Sequence, residues 1–315
     1  MWAILGMDMS EQPKKKGNTT RIILPEELAK LRDAAHDQRP SLVVLSGWEI
    51  GRQILLGDSD VILGRSEEAD VLVNLLSVSR QHALIEHISD GNEDYYTVTD
   101  LKSMNGTLVN NVPVSAARLN EGDKIQLGDV VFKFGIHDPV ESQFHDEVHR
   151  RIHYHHLTGL LTLDSFKVQM DEIVSQVAGT ERVFTLAMTD LDGLKKINDT
   201  YGHVVGSLVI SEMGAIIRGT LRSKDRGGMW GGDETILLFP DTPLEAARAM
   251  SETLRQNMAA REFEYEGKLF GVSISQGLAE FPRHGATREE IISAADEALY
   301  AAKNGGRNCI RIAGE

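Results

Sequence analysis

Two acidic clusters follow strand-like segments that are far apart in the chain. Asp190 closes the apolar run 183–188, and Asp233 and Glu234 directly follow two glycines. Apolar runs flank those glycines, which predicts two strands joined by a tight hairpin with both carboxylates at its tip. If the strand ends lie side by side, Asp190 and Asp233 or Glu234 can share a hard divalent cation, the usual partner of carboxylates and substrate phosphates. Two solvated turns would give the same pattern, so the spacing alone leaves both interpretations open.

Composition narrows the class of protein. The 315 residues are enough for two domains of ordinary size, and the 41% hydrophobic residues can give each a core. A net charge of −14 argues against general nucleic-acid binding, which requires basic surfaces. The single cysteine, Cys309, excludes an internal disulfide framework, and no apolar run approaches the roughly 18 residues of a membrane span. We therefore expect a cytoplasmic protein without membrane insertion.

A set of motifs extends from about residue 156 to 312 around Gly231-Gly232-Asp233-Glu234-Thr235. Those motifs are Leu157-Thr158-Gly159-Leu160, Asp190-Leu191-Asp192-Gly193 with Lys195 and Asn198, Tyr201-Gly202-His203 with Gly206, Ala302-Lys303, and Gly305-Gly306-Arg307-Asn308. In order and spacing these motifs resemble those of the GGDEF family of diguanylate cyclases. The resemblance implies an α/β domain over residues 158–315, with a central, mainly antiparallel sheet like the palm of nucleotidyl cyclases.

The implied reaction condenses two GTP molecules into cyclic di-GMP and two pyrophosphates with Mg²⁺ or Mn²⁺. The implied metal ligands are Asp190, the backbone carbonyl of Leu191 and Asp233, and Glu234 is either a ligand of a second metal or the base for the attacking hydroxyl. The implied substrate-binding residues are Lys195, Lys303 and Arg307 for the β and γ phosphates, and Asn198 and Ser207 for guanine. Because one domain holds one GTP, ring closure requires a homodimer.

Two further features bear on this activity. Arg222 and Asp225 form the Arg-x-x-Asp pattern that family members use as an inhibitory site for the product, cyclic di-GMP. Ser207 replaces a guanine-binding Asp, and Thr235 replaces the usual Phe, an apolar anchor behind the hairpin. A hydroxyl in place of a carboxylate would raise the GTP requirement without removing the chemistry.

Residues 41–135 contain short β-prone runs separated by Gly, Asn and Asp, which predicts a β-sandwich. Gly64-Arg65, Ser79-Arg80-Gln81-His82, and Asn105-Gly106-Thr107 with Asn110 fall in loops between these runs. Their spacing resembles that of a forkhead-associated (FHA) domain. The resemblance implies phosphothreonine binding by Arg65 and Ser79, with Arg80 assisting, Asn105 holding the ligand backbone and His82 as a scaffold residue. Guanidinium and hydroxyl groups suit a dianionic phosphate. Met104 occupies a position where FHA domains commonly have a second phosphate-binding hydroxyl, so we expect weaker binding of the phosphate.

Residues 1–40 are predicted to be a flexible tail with a short helix after Pro25. Thr19 and Thr20 lie in its basic stretch, with Ile22 and Ile23 three residues beyond them. One of these threonines, phosphorylated by a Ser/Thr kinase, would dock on the FHA site in the same chain or across a dimer. The open alternative is that the FHA domain binds another phosphorylated protein.

The linker, residues 136–157, is predicted to be helical after Pro139. Its apolar residues recur every four positions, at Val140, Phe144, Val148 and Ile152. This narrow stripe would pair with its copy in a second chain as a short coiled coil, or pack on the chain's own domains. His145, His149 and His153 share another face, which we predict to be solvated, although this spacing also suits metal binding or pH sensing.

The sequence thus predicts a multidomain protein, an all-β FHA sandwich followed by an α/β GGDEF domain. We expect a diguanylate cyclase regulated through phosphothreonine recognition. The alternative is an adaptor with a degenerate GGDEF domain that binds GTP or cyclic di-GMP without turnover. The intact metal carboxylates favour the enzyme, whereas Thr235 and Ser207 favour the adaptor.

Overall fold

The structure is a computed structural model that describes residues 38–315 except residues 48, 67, 90 and 92. The predicted tail helix and the candidate phosphorylation sites Thr19 and Thr20 lie outside the described residues. None of the helices in the described part of the chain is both long enough and apolar enough to span a bilayer.

Residues 39–137 form two β-sheets. Their strands are β1 Arg39–Ser46, β2 Gln53–Leu55, β3 Val61–Gly64, β4 Val71–Leu72, β5 Ala83–Ser89, β6 Asp94–Asp100, β7 Thr107–Val109, β8 Val112–Val114, β9 Ala116–Leu119, β10 Lys124–Leu127 and β11 Val130–His137. One sheet has the order β2-β1-β11-β10-β7-β8, and the other has the order β4-β3-β5-β6-β9. Side chains such as Leu42, Phe132, Ile85 and Val98 are fully or almost fully buried in one cluster. Strands such as β5, β7 and β10 alternate buried and more exposed residues, as expected of a sandwich, whereas β1 is buried over four consecutive residues.

Strand β11 passes into helix α1, Pro139–His153, through a single residue. That residue, Asp138, accepts hydrogen bonds from the backbone N–H groups of Val140 and Glu141, and the Glu141 carboxylate accepts one from the Asp138 N–H. This capping box and Pro139 in the first turn fix where the helix begins.

Residues 154–315 form a second unit around a five-stranded sheet. Its elements are α2 Leu163–Val177, β12 Phe184–Leu191, α3 Leu194–Tyr201, α4 His203–Thr220, β13 Arg226–Met229, β14 Glu234–Pro240, α5 Leu244–Ala259, β15 Glu262–Tyr265, β16 Lys268–Gly271, β17 Ile274–Phe281, α6 Arg288–Asn304 and β18 Ile310–Ile312. The sheet order is β13-β14-β12-β17-β18, antiparallel except where β18 runs parallel to β17. Strands β15 and β16 form a separate hairpin.

Apolar side chains cover both faces of this sheet. One cluster joins Leu237 and Leu278 to helices α4 and α5, and the other joins Leu186 and Ile236 to α2 and α6. All eight residues of β12 are buried, so the backbone of the central strand is rigidly held.

The two units are in direct contact. The Asn74 side-chain amide donates to the Glu172 carboxylate of α2 at 2.9 Å. The Ile50 carbonyl lies 2.9 Å from Nε2 of His153, at the end of α1, the helix that connects the two units. Burial raises the pKa of Glu172 to about 7, although the hydrogen bond from Asn74 acts in the opposite direction. The contact thus contains a carboxyl group that titrates near neutrality.

Candidate functional site

The carboxylates of the two acidic clusters meet at one edge of the sheet. Asp190, near the end of β12, lies directly opposite Glu234, the first residue of β14. Directly opposite residues in an antiparallel pair have Cβ atoms about 5 Å apart. The backbone N–H groups of Trp230 and Gly231 donate to the Glu234 carbonyl, which closes the turn containing Asp233. The antiparallel register therefore determines that the clusters converge.

Lys303 extends from α6 to both carboxylates. Its Nζ lies 2.8 Å from Oδ2 of Asp190 and 3.9 Å from Oε1 of Glu234. Burial raises the pKa of Asp190 to about 6, and the negative charges of Asp233 and Glu234 add to this, whereas Lys303 lowers it. Burial disfavours the Lys303 ammonium, but the hydrogen bond and charge of Asp190 raise its pKa overall. The site holds more negative charge than one lysine balances.

This excess of carboxylate oxygen suits a hard divalent cation in its chemistry. The Lys303 ammonium, itself a cation, already lies within 4 Å of two of the carboxylates. Among the described residues, no group of three His, Cys, Asp or Glu side chains is arranged as a complete ligand set. The residues present therefore fit a metal that takes its remaining ligands from substrate phosphates or water.

Helices α3 and α4 follow β12 and carry the predicted base-binding residues. Gly193 precedes α3 in the left-handed conformation, φ 80°, which permits the sharp turn from strand to helix. Lys195 is exposed, Asn198 and Ser207 are half-buried, and the Asn198 side chain lies against Gly206 of α4. A Cβ atom at position 206 would overlap Oδ1 of Asn198. Glycine at this position therefore makes room for Asn198.

The predicted phosphate ligand Arg307 lies in the loop that follows α6. It is exposed and has a left-handed backbone, φ 63°, as does Asn308, φ 47°. The Asn308 N–H donates to Oδ2 of Asp192 at 2.9 Å. No role for Asp192 was predicted from the sequence, and its carboxylate also accepts hydrogen bonds from the hydroxyls of Ser273 and Ser275.

In the predicted product site, Arg222 and Asp225 bind each other. The Arg222 guanidinium donates two hydrogen bonds to the Asp225 carboxylate, at 2.9 and 2.7 Å, and a third to the Thr242 hydroxyl. The Asp225 side chain is fully buried, whereas that of Arg222 is 42% exposed. A ligand that needs either group must compete with this ion pair.

The predicted phosphothreonine site lies in three neighbouring loops of the first unit. The Arg65 N–H donates to the Ser79 carbonyl, and the Ser79 hydroxyl accepts from the Met104 N–H at 2.9 Å. The Asn105 side-chain amide donates to the Ser77 carbonyl at 2.7 Å. Arg65, Arg80 and Asn105 are exposed, so their polar groups are accessible to a ligand.

Buried His82 holds these loops together. Its Nδ1 accepts from the Ser79 N–H at 3.1 Å, and its Nε2 lies 3.1 Å from the Gly106 carbonyl. The ring thus connects the loop that contains Ser79 with the loop that contains Asn105, which agrees with the scaffold role that the sequence predicted. Gly64 allows the close approach of Arg80, whose carbonyl would overlap a Cβ at that position.

The prediction of a solvated histidine face on the linker is wrong. His145, His149 and His153 are half-buried. His153 lies within hydrogen-bond distance of the Ile50 carbonyl and of the Ser165 hydroxyl. Burial, followed by the charges of His137 and His153 respectively, lowers the pKa of His145 and of His149. The histidine face packs on the chain's own domains. Three residues of the apolar stripe, Val140, Phe144 and Ile152, are 61%, 63% and 43% exposed, whereas Val148 is half-buried beside Gly51.

Comparison with known families matches both units. Residues 152–309 match the model described as "Diguanylate cyclase, GGDEF domain", and residues 61–128 match that of the FHA domain. Diguanylate cyclase A of Treponema denticola is 34% identical over 47% of this chain and 40% of its own length. Diguanylate cyclase DgcP of Pseudomonas aeruginosa is 34% identical over 50% of this chain and 23% of its own. The chain therefore spans less than half the length of these relatives.

Solved structures resemble the second unit. The coiled coil and GGDEF domain of DgcB from Caulobacter crescentus, in complex with c-di-GMP, matches with 25% identity and a TM-score of 0.51 over 55% of this chain and 92% of that one. The diguanylate cyclase SiaD of Pseudomonas aeruginosa, in complex with its activator SiaC, matches with 29% identity and a TM-score of 0.50, over 55% of this chain and 66% of that one.

Proposed function

This chain belongs to the GGDEF family of diguanylate cyclases, and we propose that it condenses two GTP molecules into cyclic di-GMP with release of two pyrophosphates. The observation that carries the proposal is the position of Asp190 opposite Glu234, with Lys303 reaching both. In each of two equivalent steps, a 3′-oxygen bonds to the α-phosphorus of the other GTP and the bond from that phosphorus to pyrophosphate breaks. The hydroxyl proton passes to a base, for which Glu234 is our candidate.

The residues of the site would bind three different parts of the reacting complex: the metal, the phosphates and the guanine base. Asp190, the Leu191 carbonyl, Asp233 and Glu234 would hold Mg²⁺ or Mn²⁺, which supplies charge neutralisation at the α-phosphate and the leaving group. Lys195, Lys303 and Arg307 would bind the β and γ phosphates, and Asn198 and Ser207 the guanine edge. Lys303 would then exchange its carboxylate partners for phosphate oxygens.

Incubation of the purified full chain with GTP and Mg²⁺, followed by chromatography, tests this proposal. We expect cyclic di-GMP from the wild-type chain and none from Glu234→Ala. The matched control is Glu181→Ala, since Glu181 is exposed in the turn that precedes β12. Absence of product from both the unphosphorylated and the phosphorylated wild type would exclude the cyclase.

An adaptor that binds the nucleotide without turnover is the second candidate. Ser207 in place of a carboxylate favours it, because a hydroxyl gives guanine a weaker acceptor. The two candidates differ in one measurement, since an adaptor would show GTP or cyclic di-GMP binding by calorimetry with no product at any metal concentration.

We further propose that catalysis requires a homodimer formed through the exposed stripe of α1. A single site holds one GTP, and Val140, Phe144 and Ile152 present an apolar face outward from the chain's own domains. Phe144→Glu should shift the protein from dimer to monomer in sedimentation velocity and reduce turnover. The control Gln143→Glu changes the neighbouring exposed position outside the stripe. A Phe144→Glu protein that remains dimeric would contradict this interface.

For the first unit we propose binding of a phosphothreonine peptide by Arg65, Ser79, Arg80 and Asn105. The peptide would come from a partner protein or from the chain's own residues Thr19 or Thr20 after phosphorylation by a Ser/Thr kinase. We place these reactions in the cytoplasm, where GTP and kinases meet. Mass spectrometry of the native protein, and the activity of a Thr19→Ala, Thr20→Ala double variant, test the internal ligand. Unmodified threonines or unchanged regulation would leave only an external partner.

Product binding at Arg222 and Asp225 is the proposed feedback. The exposed Arg222 guanidinium can be reached by a phosphate or a guanine edge, whereas Asp225 must first lose its partner. Calorimetric titration with cyclic di-GMP should therefore show binding in the wild type and weaker binding in Arg222→Ala. Equal affinity in both proteins would exclude this site.

A further inference from the structure

Asp192 accepts hydrogen bonds from three directions. Its Oδ1 accepts from the Ser275 hydroxyl at 2.7 Å, and its Oδ2 accepts from the Ser273 hydroxyl at 2.6 Å and from the Asn308 N–H at 2.9 Å. The Asp192 N–H also donates to the Ser273 carbonyl. Both carboxylate oxygens are thus engaged, so this side chain is not a spare metal ligand.

The Asn308 contact connects two distant parts of the site. Asp192 directly follows the strand end that carries Asp190 and Leu191, whereas Asn308 directly follows Arg307. Asn308 is held from the other side as well, because Arg255 of α5 donates to its Oδ1 at 2.7 Å. The loop that carries Arg307 is therefore fixed between α5 and the end of β12.

The backbone of this loop requires such support. Arg307 and Asn308 are consecutive non-glycine residues with positive φ. Such residues are uncommon and persist when the surrounding structure holds them in place. The Arg307 N–H donates to the Ala302 carbonyl, which fixes the start of the turn, and the hydrogen bond from Asn308 to Asp192 fixes its end. The direction in which the Arg307 side chain leaves the backbone depends on both.

From this geometry we propose that Asp192 is a positioning residue that holds Arg307 in place to bind the β and γ phosphates of GTP. It acts through the backbone of Asn308 and does not touch the substrate. The inference rests on the proposed cyclase function and adds a role for a carboxylate beside the metal ligands. It predicts a defect that depends on the number of phosphates in the ligand.

The test compares GTP with GMP, which lacks the β and γ phosphates, by calorimetric titration of the full chain. In Asp192→Asn, an amide replaces a charged acceptor of three hydrogen bonds. We expect roughly tenfold weaker GTP binding, the effect of losing one charge-assisted hydrogen bond. GMP affinity should change less than about twofold, within the uncertainty of additive effects at independent sites. In turnover assays the KM for GTP should rise more than kcat falls.

Arg307→Ala provides the decisive comparison. If Asp192 acts through Arg307, the Asp192→Asn, Arg307→Ala double variant should bind GTP no more weakly than Arg307→Ala alone. Asp164→Asn, an exposed aspartate in the first turn of α2, is the matched control and should bind both nucleotides like the wild type. Thermal unfolding of each variant checks that the fold is retained.

Three results would overturn the inference. Equal losses of GTP and GMP affinity in Asp192→Asn would show a general effect on the fold or on the base site. Additive losses in the double variant would show that Asp192 acts independently of Arg307. Unchanged GTP affinity would show no role in binding. If the wild-type chain binds no GTP, the proposed function itself fails. The other three results contradict only the role of Asp192, so the two kinds of failure can be distinguished.

Discussion

At the scale of single residues, the burial of Asp190 raises its pKa and so affects its ability to bind a metal. Its pKa of about 6 lies well above the ordinary value for Asp, because the carboxylate is removed from water and faces Asp233 and Glu234. A metal must displace the proton that Asp190 holds at lower pH. The site should therefore bind metal less well in mild acid.

This effect predicts a pH dependence with a definite sign. Mn²⁺ affinity should rise up to tenfold per pH unit below about pH 6 and level off above it, as titration calorimetry can measure. Lys303→Met removes the group that lowers the pKa of Asp190, so the midpoint should move to higher pH. A midpoint that stays in place would show that Asp190 is not the titrating ligand.

A second prediction concerns Gly206. Alanine normally stabilises a helix interior relative to glycine by about 0.5–1 kcal/mol. At Gly206, however, the added Cβ would displace Asn198, so we expect GTP binding to weaken by roughly tenfold, the effect of about one lost hydrogen bond. Gly219→Ala, in the same helix with open space around it, should leave GTP binding unchanged and stabilise the fold. Equal binding by both variants would contradict the role of Asn198.

Residue types were the most predictable part of the site. Sequence motifs identified Asp190, Glu234 and Lys303, but not that the lysine bridges the two carboxylates, because that contact depends on the packing of α6. Thr235 and Gln276 lie on either side of Thr189, on the face opposite Asp190. Gln276 donates to the Ser251 carbonyl and lies near the Thr189 hydroxyl. The cross-strand register cannot be read from the sequence, and it is this register that brings Thr235 and Gln276 together around Thr189.

At the scale of elements, long periodic segments were predictable and short ones were not. The sequence predicts helices near 163–178 and over 288–304, and the structure has α2 at Leu163–Val177 and α6 at Arg288–Asn304. The two- to four-residue strands β2, β4, β8 and β9 were missed, because so short a segment carries no clear alternation and forms through its partners. Helix α3 was missed for a related reason, since its eight residues between two glycines give about two turns.

The contact between Asn74 and α2 gives a prediction at this scale. A carboxyl whose pKa is raised on folding, as that of Glu172 is to about 7, stabilises the fold most below its unfolded value of 4.5. That stabilisation is lost as the pH rises through about 7. Glu172→Gln should therefore be more stable than the wild type at pH 8, on the order of 1–2 kcal/mol, and similar to it at pH 5. Chemical denaturation at both pH values measures this.

Glu181→Gln is the control, since this glutamate is exposed and its substitution should have little effect at either pH. Equal stability of Glu172→Gln and the wild type at pH 8 would show that the Glu172 carboxylate is well hydrated and that the contact between the two units does not titrate.

At the scale of the whole molecule, the order of the two domains was predictable from their motifs, but their mutual packing was not. The histidines of α1 could equally have faced solvent, and only the structure shows them against the chain's own domains. Asn74, which carries the contact to α2, lies five residues before Ser79 of the candidate phosphothreonine site. A ligand bound at Ser79 would therefore lie close to the junction with the second unit.

That proximity predicts coupling between the two sites. Asn74→Ala removes the hydrogen bond to Glu172 but leaves Arg65, Ser79 and Asn105 in place. We expect unchanged affinity for a phosphothreonine peptide, measured by fluorescence anisotropy, but a smaller change in cyclase rate when that peptide is added. The control is Asn120→Ala, an exposed asparagine in another loop of the same domain. Full retention of the rate change in Asn74→Ala would exclude this contact as the route.

The direct passage from β11 through Asp138 into α1 has a consequence for how a signal could cross the molecule. With one capped residue between strand and helix, a twist of the sandwich becomes a twist of the helix, and the outward stripe turns with it. Cyclase output would then depend on the rotation of the stripe about the helix axis and not on the length of α1. One residue inserted into α1 turns everything beyond it by about 100°, whereas seven residues bring it almost back to its starting angle. Cyclase output across such an insertion series should therefore rise and fall with the period of the helix.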